Sequence, residues 1–135
     1  MPKILSAQQI KDLDAYTIQH EPIASIDLME RACRAFESWF IGRFDFTYRV
    51  GIVCGTGNNG GDGLGIARLL SESGYAVQVW IVKGNATESI DFKINKDRLQ
   101  NKVSMAEITL QCDQKIFSSC DILIDAIFGS GLSRT

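Results

Sequence analysis

Residues 51–70, GIVCGTGNNGGDGLGIARLL, set seven glycines, the adjacent pair Asn58 and Asn59, and the carboxylate of Asp62 between an apolar run and a helical one. Asparagine offers a carbonyl and an amide, aspartate offers two oxygens, and glycine lets backbone amides come close to a ligand. Farther along, Asp125 stands inside the apolar run ILIDAIF, and Lys83 closes another such run. A carboxylate among apolar neighbours needs a partner. Oxygen-rich side chains beside it suit a hard cation.

Two familiar phosphate motifs compete for the bend. Gly55-Thr-Gly57-Asn-Asn-Gly60 satisfies GxGxxG between a strand and a helix. The dinucleotide fingerprint also wants an acid about 20 residues on to hold a ribose hydroxyl, and this chain offers Lys83 there. Asp62 would moreover compete with a pyrophosphate for the same amides and helix dipole. A Walker loop fails because no GK[ST] follows near residue 60. Blander roles are open beside these. Asp62 could cap a helix starting near Gly63, Asn58 and Asn59 could serve left-handed turn positions, Asp125 could be structural, and Lys83 could be a solvated strand end.

Composition narrows the rest. A chain of 135 residues suits one domain, able to hide roughly two thirds of its unfolded surface. Hydrophobic residues make up 45% and charged ones 22%, and no stretch of about 18 consecutive apolar residues predicts a membrane span. The opening MPKILSAQQIKDLD lacks an apolar signal core, so a cytoplasmic protein is expected. Cys33, Cys54, Cys112 and Cys120 form no CxxC, and His20 is distant from them, which argues against zinc and for reduced, mostly buried thiols. Fourteen basic and sixteen acidic residues give a net charge of -2 with no Lys/Arg cluster, so nucleic acid is not an expected partner.

The elements follow from periodicity. Ser6 with Gln9 fits a capping box for a helix over about 7–20, ended by Pro22. From Ser25, Leu28, Met29, Ala32, Cys33, Phe36, Trp39 and Phe40 form the apolar face of a second helix. Strands are expected at Tyr48–Cys54, Tyr75–Val82 and Cys120–Phe128, with a short one at Val103–Met105. Helices are expected from Leu64 to a stop at Gly74, over about Asp91–Gln100, and over Ile108–Phe117, the last despite the poor formers Thr109, Cys112 and Asp113. Alternating strands and helices predict an α/β fold, a doubly wound parallel sheet in three α/β/α layers of Rossmann-like type. Ligands in such sheets bind outside the carboxyl ends of strands, the edge where the bend, Lys83 and Asp125 all fall. No helix follows the last strand, so the expectation is a domain cut short or small.

GTGNNGGDGLGIARLL, then GYAVQVWIVKG, then DILIDAIFGSGLSR, in that order, closely resemble the YjeF N-terminal domain, the NAD(P)HX epimerase module. LMERACRAFESW resembles the same family's second-helix segment. The resemblance runs from about Ser6 to the end and implies one domain over 1–135 that lacks its last strand-helix units. It implies an isomerase that interconverts the R and S forms of NADHX and NADPHX, so that an ADP- or ATP-dependent dehydratase can restore the coenzyme. It also implies a bound potassium ion held by Asn59 and Asp125. Asn58, Asn59, Gly60, Gly61 and Asp62 would line the substrate. Gly129, Ser130, Gly131, Leu132, Ser133 and Arg134 would wrap its phosphates. Asp125 and Lys83 would share the acid/base work. The first helix and the rim of the second are candidate homodimer surface. Two rivals stand beside this reading. A non-catalytic binding module is known on the same fold, in the decapping-enhancer scaffold and the apolipoprotein A-I binding protein. An ordinary nicotinamide oxidoreductase is disfavoured by the missing ribose acid.

Overall fold

The structure is a computed structural model, and it describes residues 3–6 (backbone only), 24–84 and 86–127. Five short strands form one wholly parallel sheet: β1 (Lys3–Ser6), β2 (Val50–Cys54), β3 (Val77–Val82), β4 (Ser104–Ile108) and β5 (Ile122–Ala126). The spatial order is β1-β5-β2-β3-β4. From β2 the chain winds outward to β3 and β4, then returns to place β5 on the other side of β2. The winding therefore reverses between β2 and β5, and a reversal of this kind opens a crevice at the strands' carboxyl ends.

Among the described residues three helices lie on one face: α1 (Ser25–Ile41), α2 (Asn58–Glu72) and α3 (Ile90–Leu99). Their apolar faces meet β2, β3 and β5 in one cluster that includes Met29, Cys33, Phe36, Phe40, Leu64, Leu70, Phe92 and Leu99 against Ile52, Val79, Ile122 and Ile124. All five residues of β2 are buried, as the continuous run VGIVC requires. The opposite face carries a smaller cluster of Val53, Trp80, Val82 and Cys120. Phe117 closes it edge-on to Trp80, with ring centroids 4.8 Å apart.

Several expected elements differ. Ser6, the expected cap of a helix, is the last residue of an edge strand, Lys3–Ser6, in register with Asp125. The helix expected over 7–20, with His20, lies outside the described residues. The strand expected at Val103–Met105 runs instead over Ser104–Ile108. Its extension consumes the start of the helix expected at Ile108–Phe117, of which a single 3-10 turn, Gln114–Phe117, forms. Asp113 accounts for that brevity: its side chain accepts from the Lys115 amide at 2.9 Å, a local bond that competes with a full helix. No helix among the described residues is long and apolar enough to cross a membrane. The four cysteines are free thiols, three of them buried.

Charge also ties the helical layer together. Glu30 of α1 accepts from Arg68 of α2, and its carboxylate lies 3.0 Å from Arg34 and 3.8 Å from Arg98 of α3. Arg68 is only 9% exposed. Glu72 also stands 3.7 Å from Arg68, but half exposed, so a buried guanidinium that loses Glu30 keeps its desolvation cost with much less attraction. Glu30→Gln is expected to lower stability by about 1–3 kcal/mol, measured as a lower urea midpoint at unchanged slope. An unchanged midpoint would show that the three cations do not depend on this acid.

Candidate functional site

The glycine bend is built by backbone resting on backbone. Past the end of β2, the Gly55 amide donates to the Ala126 carbonyl at 3.0 Å and extends the ladder by one residue. A Cβ at Gly55 would stand 2.4 Å from the Ile127 carbonyl oxygen, and one at Gly60 would stand 1.8 Å from the Gly55 carbonyl oxygen. Neither distance leaves room for a carbon. The loop after β5, the turn after β2 and the first turn of α2 therefore stack directly on each other.

This stacking moves the helix start. α2 begins at Asn58, with Gly57 as N-cap at φ -90° and no side chain capping it. Asp62 is therefore inside the helix, and its expected role as cap of a helix near Gly63 does not hold. Asn58 and Asn59 are helical, so neither serves a left-handed turn. Among the described residues only Gly74 and Asn101 have positive φ. The first bond of the helix runs from the Gly61 amide to the Gly57 carbonyl at 3.0 Å. The amides of Asn58, Asn59 and Gly60 thus point out of the helix head, where the dipole favours an anion.

Neighbouring helices hold that head in place. The Cys33 thiol of α1 donates to the Asp62 carbonyl at 3.3 Å, and Asn95 Nδ2 of α3 donates to the Gly61 carbonyl at 2.9 Å. Before α3, the Ser89 amide donates to the Thr56 carbonyl at 2.9 Å while the Ser89 hydroxyl caps α3 through the Phe92 amide. Asp62 is 1% exposed. Burial, with the nearby Asp62 charge adding to it, pushes the Cys54 thiol far above its ordinary range, so it stays protonated and inert. Asn59 Oδ1 is buried and has no hydrogen-bond partner among the described residues.

Asp125 reaches the same sheet edge from β5, in register with Val53 of β2. Its neighbours Ile124 and Ala126 belong to the helix-covered cluster, so strand alternation directs Asp125 toward the other face. One of its oxygens accepts from the Ile127 amide at 3.1 Å. No hydrogen bond joins Asp125 to Asn59 among the described residues. Lys83 follows β3, two strands from β5, which is about 10 Å of sheet. Its ammonium lies 3.3 Å from Glu107 of β4, with the lysine side chain 49% exposed. Gly129, Ser130, Gly131, Leu132, Ser133 and Arg134 lie outside the described residues. Among the described residues no group of three or more His, Cys, Asp and Glu could hold a metal.

Sequence reasoning missed Glu107 and Asn95. Phe92, Asn95 and Leu99 are all buried on α3, and an asparagine at helical spacing between apolar residues was the available signal. Glu107 had none, because its meeting with Lys83 depends on the pairing of β3 with β4.

The family model described as YjeF-related protein N-terminus matches residues 25–135. The chain belongs to this family. A Lentilactobacillus buchneri protein named NAD(P)H-hydrate epimerase is 36% identical over 99% of this chain and 61% of its own length. Proteins of the same name from Limosilactobacillus fermentum and Anaerococcus prevotii are 33% and 36% identical over 96% and 98% of this chain. The chain thus spans about three fifths of these curated relatives, at 61% of the first two and 62% of the third. The crystal structure of yeast ynu0, YNL200c, matches with a TM-score of 0.69 at 23% identity, covering 98% of this chain and 59% of that one. That likeness supports the α/β fold.

The bend of this YjeF-family chain yields a paired prediction. Gly60→Ala is expected to destabilise by roughly 3 kcal/mol, the upper end for overpacking, because its Cβ meets backbone that cannot rotate away. Gly57 has no atom within 4 Å of a Cβ, so Gly57→Ala should stay within about 1 kcal/mol. Equal losses in thermal unfolding would show that the stacking is not what the glycines serve.

Proposed function

We propose that the chain interconverts the R and S epimers of hydrated NADH and NADPH, at a site formed by the head of α2 and the end of β5. The observation that carries this reading is the match of relatives named NAD(P)H-hydrate epimerase across nearly the whole chain. A row of helix-head amides that no intrahelical bond uses and an edge carboxylate are in keeping with it.

The carbon that inverts bears a hydroxyl and adjoins a ring nitrogen. Breaking its C–O bond requires a proton on the departing hydroxyl, which leaves as water while the nitrogen lone pair stabilises the cation left behind. Water then adds to the opposite face and gives its proton to a base, so no proton is gained or lost overall. On this reading Asp125 and Lys83 divide the two proton transfers, one protonating the departing hydroxyl and the other taking the proton of the water that adds to the opposite face, with solvent restoring both; one Asp125 oxygen is held by the Ile127 amide, leaving the other to reach the substrate. Lys83 assists after exchanging Glu107 for a substrate oxygen. Asn58, Asn59, Gly60 and Gly61 line the substrate beside the buried Asp62. The segment from Gly129 to Arg134 wraps its phosphates.

Potassium is assigned to Asn59 and Asp125. The buried, unpartnered Oδ1 of Asn59 fits such an ion, since an orphaned oxygen in a wholly oxygen donor set is what a hard cation selects. Bound there, the ion supplies fixed positive charge beside the substrate. The assignment extends to hand-over of the S epimer to an ADP- or ATP-dependent dehydratase, to a homodimer and to a cytoplasmic setting.

With the R epimer as substrate, potassium saturating and the two epimers separated chromatographically, Asp125→Asn is expected to slow epimerisation by about 100-fold or more. Lys83→Met should cost less, because the lysine must first leave an ion pair. An unchanged rate in Asp125→Asn would remove that residue from the chemistry.

A further inference from the structure

Asn95 is a buried amide with no counterpart among the residues assigned so far. It is 2% exposed on the apolar face of α3, in line with Phe92 and Leu99. Its Nδ2 donates at 2.9 Å to the Gly61 carbonyl and at 3.1 Å to the Met29 sulfur. Both partners are acceptors only, so the nitrogen must be the atom that faces them. Its Oδ1 is buried with no hydrogen-bond partner among the described residues. Such an orphan costs free energy that an apolar side chain of similar size would not. For stability alone, leucine is the better residue here.

What the amide gains is the placing of the α2 head. Gly61 belongs to the first turns of α2, two residues beyond Asn59 and next to Asp62. A Cβ at Gly61 would lie 3.2 Å from the Met29 sulfur and 3.3 Å from the Phe92 backbone, and a Cβ at Gly65 would lie 3.4 Å from Asn95 Nδ2. Gly61 and Gly65, one turn apart, thus give α2 a smooth strip on which α1 and α3 close. Apolar contact along a smooth strip allows the helix to slide and rotate; a directed hydrogen bond to one carbonyl does not. Asn95 supplies the directed bond.

We propose that Asn95 is a positioning residue that fixes the rotation of the α2 head, and through it the aim of the Asn58–Gly60 amides and of Asn59 Oδ1. Its functional consequence rests on the epimerase reading; its structural consequence does not. In Asn95→Leu the donor is lost and the core stays filled. Amide hydrogen exchange at residues 61–64, the first amides bonded within α2, is expected to rise at least tenfold, with the thermal midpoint unchanged or higher. KM for the hydrated nucleotide should rise more than kcat falls. Asn95→Ala removes the donor without adding bulk, and should show the same local rise above any even rise through the protein.

Unchanged exchange at 61–64 in Asn95→Leu would overturn the proposal. So would exchange rising evenly through the protein with a lower midpoint, since that is the mark of a merely structural residue. Wild-type protein that fails to epimerise its substrate would sink the function reading alone, because the exchange measurement needs no substrate.

Discussion

The contact on which the rest depends is between three pieces of backbone. Ile127 rests on Gly55, and Gly55 rests on Gly60, at separations that exclude any side chain. Two consequences follow from this one constraint. The end of β5 is locked to the end of β2, so the two strand ends at the winding reversal keep a fixed spacing. The helix after β2 is also forced to begin at once, at Asn58, which turns its first amides outward at that crevice. A bulkier bend would have to lift away from the sheet, and the amides would lose their place over the strand ends.

Around this stack the protein uses polar groups where apolar ones would pack as well. Asn95 grips the Gly61 carbonyl, the Cys33 thiol grips that of Asp62, and the Ser89 amide grips that of Thr56. Each ties a carbonyl in or near the α2 head to a different helix or its cap. Farther out, Glu30 gathers Arg34, Arg68 and Arg98 from all three helices. The hydrophobic cluster supplies the attraction, but it is tolerant of small rotations. Directed bonds remove that tolerance at the place where geometry matters for binding.

Much of this was legible in the sequence, for reasons that can be named. VGIVC is apolar throughout and VQVWIV apolar but for Gln78, because these strands are largely covered on both faces, and the crossover helices between them compel a parallel sheet. The bend itself was visible as a cluster of glycines. Its physical purpose was not, because composition alone cannot separate glycine chosen for positive φ from glycine chosen for close approach. Only the second applies here. The start of α2 was misplaced for the same reason: Asn58, Asn59 and two glycines are weak helix formers, and tertiary stacking overrides them. β1 escaped notice because four residues, KILS, carry too little periodicity. The meeting of Lys83 with Glu107 depends on strand order, which a linear reading does not contain.

The two oxygens assigned to a cation approach from different sides. Asn59 belongs to a helix on one face of the sheet, while alternation turns Asp125 toward the other. Groups so arranged are bridged only by something lying over the edge itself, above the carboxyl ends of β2 and β5. A small ligand tucked against one face would meet one of them and miss its partner. An extended ligand with a charged middle, crossing the edge, would meet both. On the proposed reading this is why the bend is low as well as tight: a Cβ at Gly57 would have no atom of the described residues within 4 Å. On the proposed reading a hydrated dinucleotide has the length to lie across such an edge, with the Asn58–Gly60 turn along its side, its ring toward Asp125 and its phosphates left to the segment from Gly129 to Arg134.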